Sequence, residues 1–245
     1  HAVLFSLDAD TGRPQAIMDG THLTALRTGA ASGVATDLLA RKDACVAAVF
    51  GAGAQGRTQL EAVCTVRPIN RAWVFDTDTQ AAARYAEEMR NRGTPFPPEI
   101  LVASSPQKAV ADADVICTAT TSSTPVFSDT DLKPGVHING VGSYTPAMQE
   151  VPGETVVRAK VFVDSVPACW EEAGDLIIPL QKELIGKDHV LGEIGQLASG
   201  QVQGREETED VTYFKSVGNA VQDVSVARII LSAAQELGLG KDVHL

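Results

Sequence analysis

The chain has 245 residues, 44% of them hydrophobic and 21% charged, with a formal net charge of −11. This composition excludes a collagen-like or disordered polymer, and an acidic balance without Lys/Arg clusters argues against nucleic acid or an anionic membrane as partner, since both need a basic patch. No signal-peptide pattern opens the sequence and no apolar stretch approaches the roughly 20 residues of a membrane span, so a cytoplasmic protein is expected.

In chain order, "AVLFSLDADTGRPQAIMDG" alternates apolar and polar residues around a turn-forming Asp/Gly/Pro cluster and reads as a β-hairpin. A hairpin alone is marginal in water, so its strands are expected to join a larger sheet supplied by further sequence or another subunit. "THLTALRTGAASGVATDLLARKD" carries Leu23, Leu26, Ala30, Val34, Ala35, Leu38 and Leu39 at helical spacing. From residue 44 short β-branched runs alternate with helical segments: "CVAAVFG", "QGRTQLEAVCTV", "RAWVFD", "TQAAARYAEEMRNRG", "ILVA", "SPQKAVADA", "DVICTAT", "GVHINGVG" and "AKVFVDS". Such alternation predicts an α/β protein with a doubly wound parallel sheet. After Val166 helices and loops are expected, until "DVTYFKSVGNAVQDVSVARIILSAAQELGLG" adds a strand, a turn and a helix. Cys45, Cys64, Cys117 and Cys169 form no CxxC pair and are expected to be reduced.

The stretch "VFGAGAQGR" follows a strand and opens a helix, the context in which GxGxxG binds a dinucleotide. Of Gly51, Gly53 and Gly56, one serves the tight turn, one the close approach of backbone to pyrophosphate, and one helix–strand packing. The helix starting near Gln55 offers free N–H groups and its positive dipole end to the phosphates. Asp76 closes the strand "AWVFD"; a carboxylate there accepts ribose hydroxyls and repels a 2′-phosphate, which favours NAD, with NADP as the alternative.

The loops "TATTSSTPV" and "GVGSYTP" follow predicted strands, where open α/β sheets bind ligands, and could flank the nicotinamide. His1, His22, His137, His189 and His244 form no HExxH or close pair, so no metal site is expected; neither a GxSxG elbow nor a P-loop is present. Hydride transfer is the economical chemistry. Arg27, beside the small-residue run "TGAAS", is the cation suited to clamp a substrate carboxylate.

Taken together, "MDGTHLTALRTGAASGVATDLLAR", "VFGAGAQGRTQLEAV", "HINGVGSYTPAMQEV", "VFVDS", "EEAGDL" and "TYFKSVGNAVQDVSVA" resemble the ornithine cyclodeaminase/mu-crystallin family. The resemblance implies an NAD(P)-dependent enzyme acting on amino or imino acids, a homodimer with a Rossmann-type domain and a substrate and dimerisation domain. It implies that Arg27 contacts substrate carboxylate and cofactor. Ala54, Gln55, Asp76, Thr120 and the loop Val141, Gly142, Ser143 fall at cofactor-contacting positions. Ser216 and Val217 match the loop approaching nicotinamide and substrate. Residues 1–27 are then a remnant of the substrate/dimerisation domain, 28–232 the dinucleotide-binding domain, and 233–245 a tail returning to the former.

Two departures bear on function. Cyclodeaminases carry an aspartate where this loop has Tyr144, whose phenol can donate a proton or hydrogen bond to an imine but replaces a carboxylate poorly. The family's N-terminal segment, with its substrate-binding lysine and a further arginine, is expected to be missing, and the hairpin that starts at His1 fits an N-terminally truncated member. The expected activity is reduction of a 2-imino acid or the reverse amino-acid dehydrogenation, with Arg27 and Tyr144 as catalytic candidates. The alternatives are an ornithine cyclodeaminase, forming proline and ammonia, and a non-catalytic mu-crystallin-like binder of small ligands.

Overall fold

The computed structural model describes residues 2–241 and 243, so His1 and His244 of the sequence reading lie outside the described residues. Strands β1 (Val3–Leu7) and β2 (Pro14–Asp19) form the expected antiparallel hairpin. Its turn is organised by Asp8, whose carboxylate accepts from the N–H groups of Asp10 and Thr11, and by Gly12 at φ +70°. Val3, Phe5 and Leu7 alternate onto one face and remain exposed, together with Ile17 opposite Phe5. Helix α1 (Gly20–Leu39) follows directly.

Beyond α1 the chain alternates strand and helix. The elements are β3 (Val46–Phe50), α2 (Ala54–Val66), β4 (Arg71–Phe75), α3 (Thr79–Asn91), β5 (Glu99–Val102), α4 (Pro106–Val110), β6 (Val115–Thr118) and β7 (His137–Gly140). Then come α5 (Gly153–Arg158), β8 (Lys160–Val163), α6 (Val166–Glu172), α7 (Gly174–Gln181), β9 (Val190–Glu193), α8 (Ile194–Ala198), β10 (Thr212–Lys215) and α9 (Ala220–Leu237). Among the described residues the eight strands from β3 to β10 make one sheet in the order β5-β4-β3-β6-β7-β10-β8-β9, with every pairing parallel.

Strands such as "VAAVF" and "VICT" are nearly continuous apolar runs because helices cover both sheet faces and no side of the strand meets water. Helix α2 buries Leu60, Val63 and Cys64. Helix α3 starts where Asp78 accepts from the N–H groups of Gln80 and Ala81, and buries Tyr85 and Met89. Where helix or loop was expected after Val166, the structure adds β9. This short edge strand carries Gly192 and an exposed Leu191, so it shows neither the apolar run nor the alternation that marks a strand. The four cysteines are free, and no helix among the described residues is long and apolar enough to cross a membrane.

Two compact units emerge: His1–Arg27 with Asn219–Leu245, and Thr28–Gly218. The sequence reading drew its second boundary at 232/233, whereas α9 groups whole with the hairpin. Asn219 caps α9 by accepting from Val221 N–H, and Gly238 ends it at φ +63°.

In the larger unit His137 is fully buried on β7, with Nδ1 2.9 Å from Thr212 Oγ1 and Nε2 3.1 Å from Asn139 Oδ1. Because Asn139 Nδ2 donates to Thr36 Oγ1, its Oδ1 accepts and the imidazole carries its proton on Nε2. Burial, reinforced by the Arg205 charge, drops the His137 pKa to about 3. The folded value lies below the unfolded value of about 6.5, so between the two the unfolded chain binds a proton that the folded chain refuses. Stability is therefore lost as pH falls through that window, by about 2 kcal/mol at pH 5 relative to pH 7. Urea unfolding at the two pH values should show this loss, and His137→Gln should remove it.

Candidate active site

The candidate side chains of the larger unit gather at the carboxyl ends of the parallel strands. After β3 the chain runs to the outer strands β4 and β5 before returning to β6 on the other side of β3, which makes the β3/β6 edge a topological switch point. A cleft of about 400 Å³ opens there, lined by Phe50, Gly51, Gly53, Asp76, Thr120 and Ser122.

Each glycine of the loop has a distinct physical reason. Gly51 has φ +98°, and a Cβ on it would run into the carbonyl of Ala119 after β6. A Cβ on Gly56 would meet the Gly51 carbonyl oxygen, so helix α2 packs against its own approach loop only without one. Gly53 has nothing within 4 Å of where its Cβ would be, which leaves its backbone open to a ligand. Gly53 caps α2 with no side-chain hydrogen bond. In the first turn Gln55 Oε1 is buried without a partner among the described residues. A closely approachable helix N-terminus without a side-chain cap fits a dinucleotide pyrophosphate.

At the end of β4, Asp76 accepts from Ala52 N–H at 2.8 Å through one carboxylate oxygen and from Asp78 N–H at 2.9 Å through the other. Each oxygen retains a lone pair, so Asp76 steadies the glycine loop and can still accept a ribose hydroxyl. Removing its charge should improve use of NADPH relative to NADH, because a carboxylate beside a 2′-phosphate is repulsive by about 1–4 kcal/mol at contact distance. Asp76→Asn is expected to shift the ratio of the two kcat/KM values toward NADPH by about tenfold.

Along the same edge follow the loops after β6 and β7. Thr120 lines the cleft; its N–H and hydroxyl both donate to Glu150 Oε1, at 2.6 and 2.7 Å. Val141 N–H donates to Thr118 O, and Gly142 N–H to Glu150 Oε2 at 2.8 Å. Ser143 is buried with its hydroxyl donating to Met148 O and accepting from Asp175 N–H. Ser216 Oγ donates to Asp164 Oδ2 at 2.7 Å, and the same oxygen accepts from the N–H groups of Val217 and Gly218. The hydroxyls of Ser143 and Ser216 are thus engaged in holding loops. Ala54 starts α2 on an exposed position. Tyr144 is 48% exposed, and its phenol makes no hydrogen bond among the described residues.

Arg27 belongs to the smaller unit, on α1. Its Nε donates to Asp223 Oδ1 at 3.2 Å and its Nη1 to Gln222 Oε1 at 3.1 Å, both in the first turn of α9. Three of the five guanidinium N–H donors remain for a ligand.

Four charged groups absent from the sequence reading's site stand behind these loops: Glu150, Asp164, Asp175 and Lys215. Asp175 Oδ1 accepts from the N–H groups of Glu150 and Val151, while Oδ2 accepts from Tyr213 OH at 2.9 Å and lies 3.8 Å from Lys215 Nζ. Lys215 Nζ donates to Gly140 O. Burial, with the Asp175 carboxylate close by, pushes the Glu150 carboxyl above its ordinary value, and Lys215 opposes that. For Asp164 and Lys215 the available signal was a lone charge at the end of a strand run, in "VFVDS" and "TYFKS"; Glu150 and Asp175 carry no such signal.

A family model described as "Ornithine cyclodeaminase/mu-crystallin family" matches residues 1–237. A delta(1)-pyrroline-2-carboxylate reductase of Bacillus cereus is 40% identical over 245 residues, all of this chain and 74% of that protein. Among solved structures, delta(1)-pyrroline-2-carboxylate reductase of Thermococcus litoralis, in complex with NADH and L-proline, superposes with a TM-score of 0.95. It is 41% identical, covering 98% of this chain and 74% of that one. An archaeal alanine dehydrogenase dimer with bound NAD gives a TM-score of 0.89 at 33% identity, covering 98% of this chain and 72% of that one.

Proposed function

The chain belongs to the ornithine cyclodeaminase/mu-crystallin family, and from that premise we propose that it is an NAD-dependent oxidoreductase of amino and imino acids that reduces Δ1-pyrroline-2-carboxylate to proline. The observation that carries the substrate is the likeness to the Thermococcus litoralis reductase, whose structure holds NADH and L-proline.

When bound, NADH supplies a hydride to the imine carbon. The chain's residues do the rest. Gly51, Gly53, Ala54, Gln55 and Gly56 receive the pyrophosphate, and Asp76 takes the adenosine ribose. Thr120, Val141, Gly142 and Ser143, with Ser216, form the walls at the nicotinamide end. Arg27 holds the substrate carboxylate, its fork steadied by Asp223 and Gln222. Val217 contributes to the substrate side, and Tyr144 hydrogen-bonds or protonates the imine nitrogen. Tyr144 in place of an aspartate favours reduction over cyclodeamination. The protein acts as a cytoplasmic homodimer: four free thiols suit a reducing compartment, and the apolar hairpin face of Val3, Phe5, Leu7 and Ile17 suits a subunit contact.

The test follows NADH oxidation at 340 nm with pyrroline-2-carboxylate, with pyruvate plus ammonia, and with ornithine and NAD as comparison. Cofactor oxidation by the cyclic imine, yielding proline, is expected. Preferential turnover of pyruvate with ammonia would make it an alanine dehydrogenase instead. Ammonia release from ornithine without net change in NADH would make it a cyclodeaminase.

A further inference from the structure

Glu150 of the larger unit lies in no strand or helix, is not among the residues lining the cleft at the glycine loop, and is fully buried. Four donors converge on its carboxylate. Oε1 takes the N–H and hydroxyl of Thr120, and Oε2 takes Gly142 N–H and, at 2.8 Å, the hydroxyl of Thr118. Its backbone joins the same assembly, accepting from Val126 N–H and donating to Asp175. One carboxylate therefore ties the end of β6 and the loop after it to the loop after β7. A Cβ on Gly142 would collide with Glu150 Oε1 and Thr120 O, which shows how tightly the two loops are drawn together.

The order of the sheet assigns this clamp to one end of the cleft. Asp76 ends β4 and the glycine loop ends β3, whereas Thr120 and Gly142 follow β6 and β7 on the far side of the switch point. A dinucleotide laid across that edge with its adenosine ribose at Asp76 has its other half at the β6/β7 loops.

We propose that Glu150 is a positioning residue for the nicotinamide half of the cofactor: by bridging Thr118 and Thr120 to Gly142 it sets the separation of the two loops that receive that half. The inference rests on the dinucleotide-binding reading above. A glutamine is the discriminating substitute. Whichever way its amide is turned, the NH2 faces a backbone N–H, that of Thr120 on one side or Gly142 on the other, and neither can rotate to become an acceptor. One loop is released while the glycine loop and Asp76 are untouched.

The experiment compares NADH with ADP-ribose, which carries every cofactor group except the nicotinamide, in equilibrium titrations of wild type and Glu150→Gln. The expected result is that NADH binding weakens about tenfold or more while ADP-ribose stays within about twofold, the cost of one uncompensated buried donor. Equal weakening of both ligands overturns the proposal, since Glu150 would then support the unit as a whole; unchanged binding of both overturns it too. Thr118→Val serves where the glutamine variant does not fold. It removes one donor from the clamp at a buried position outside the cleft, and about threefold weaker NADH binding with unchanged ADP-ribose is expected. No change in NADH affinity would count against the clamp. Failure of wild type to bind either ligand would sink the dinucleotide reading, and the proposal with it.

Discussion

Gly51→Ala should abolish productive cofactor binding, with NADH affinity falling about 100-fold or more and thermal stability dropping with it. Gly51 sits at φ +98°, where an L side chain costs about 1–3 kcal/mol of backbone strain. The added methyl group also points at rigid backbone: the Ala119 carbonyl oxygen, with the carbonyl carbon 2.9 Å away. Ala119 N–H donates to Phe50 O and Gly51 N–H to Phe75 O, so neither partner can retreat without breaking the sheet edge. Relief must come from the switch-point cleft itself. Titration with NADH and a melting curve check both halves of the expectation; a variant that loses stability but binds NADH normally would show that the loop tolerates the shift.

Arg27→Met should cut kcat/KM for pyrroline-2-carboxylate about 100- to 1,000-fold, the loss expected when one partner of a desolvated charge pair is truncated. The Arg27 side chain is 12% exposed and its guanidinium already oriented through Nε and Nη1 by Asp223 and Gln222, so its free edge is presented with little remaining entropy to lose. Methionine keeps the volume and removes the fork, leaving Asp223 without its partner. Arg27→Lys should recover only part of the activity, because an ammonium replaces two parallel hydrogen bonds with one point charge. Steady-state kinetics at saturating NADH separates the readings. A loss confined to the imino acid identifies a carboxylate clamp, and an unchanged kcat/KM removes Arg27 from the substrate site.

What was legible in the sequence is local. The glycine loop could be read because a turn with φ above zero, a close helix packing and an open backbone leave a three-glycine trace within six consecutive residues. Asp76 could be read because it ends the next strand, and the parallel sheet because apolar runs alternate with amphipathic segments. β9 could not be read, since an edge strand with one face in water needs no pattern of its own. Helix α9, a continuation of the "TYFKSVG" strand in sequence, takes its place beside the hairpin because contacts decide compact units, and adjacency along the chain does not.

The sequence by itself determined the fold class, the dinucleotide loop and a list of polar residues at strand ends. It could not determine which of those residues face a ligand and which hold the loops. The hydroxyls of Ser143 and Ser216, both cofactor candidates, are occupied by Met148, Asp175 and Asp164. Glu150, unremarked in the sequence, holds four donors from two separate segments, the end of β6 with its loop and the loop after β7. The physical reason is that propensity and periodicity act between neighbours along the chain, whereas a buried charge is tolerated only where distant backbone and side-chain donors meet it. That meeting exists only after the strands have been laid side by side.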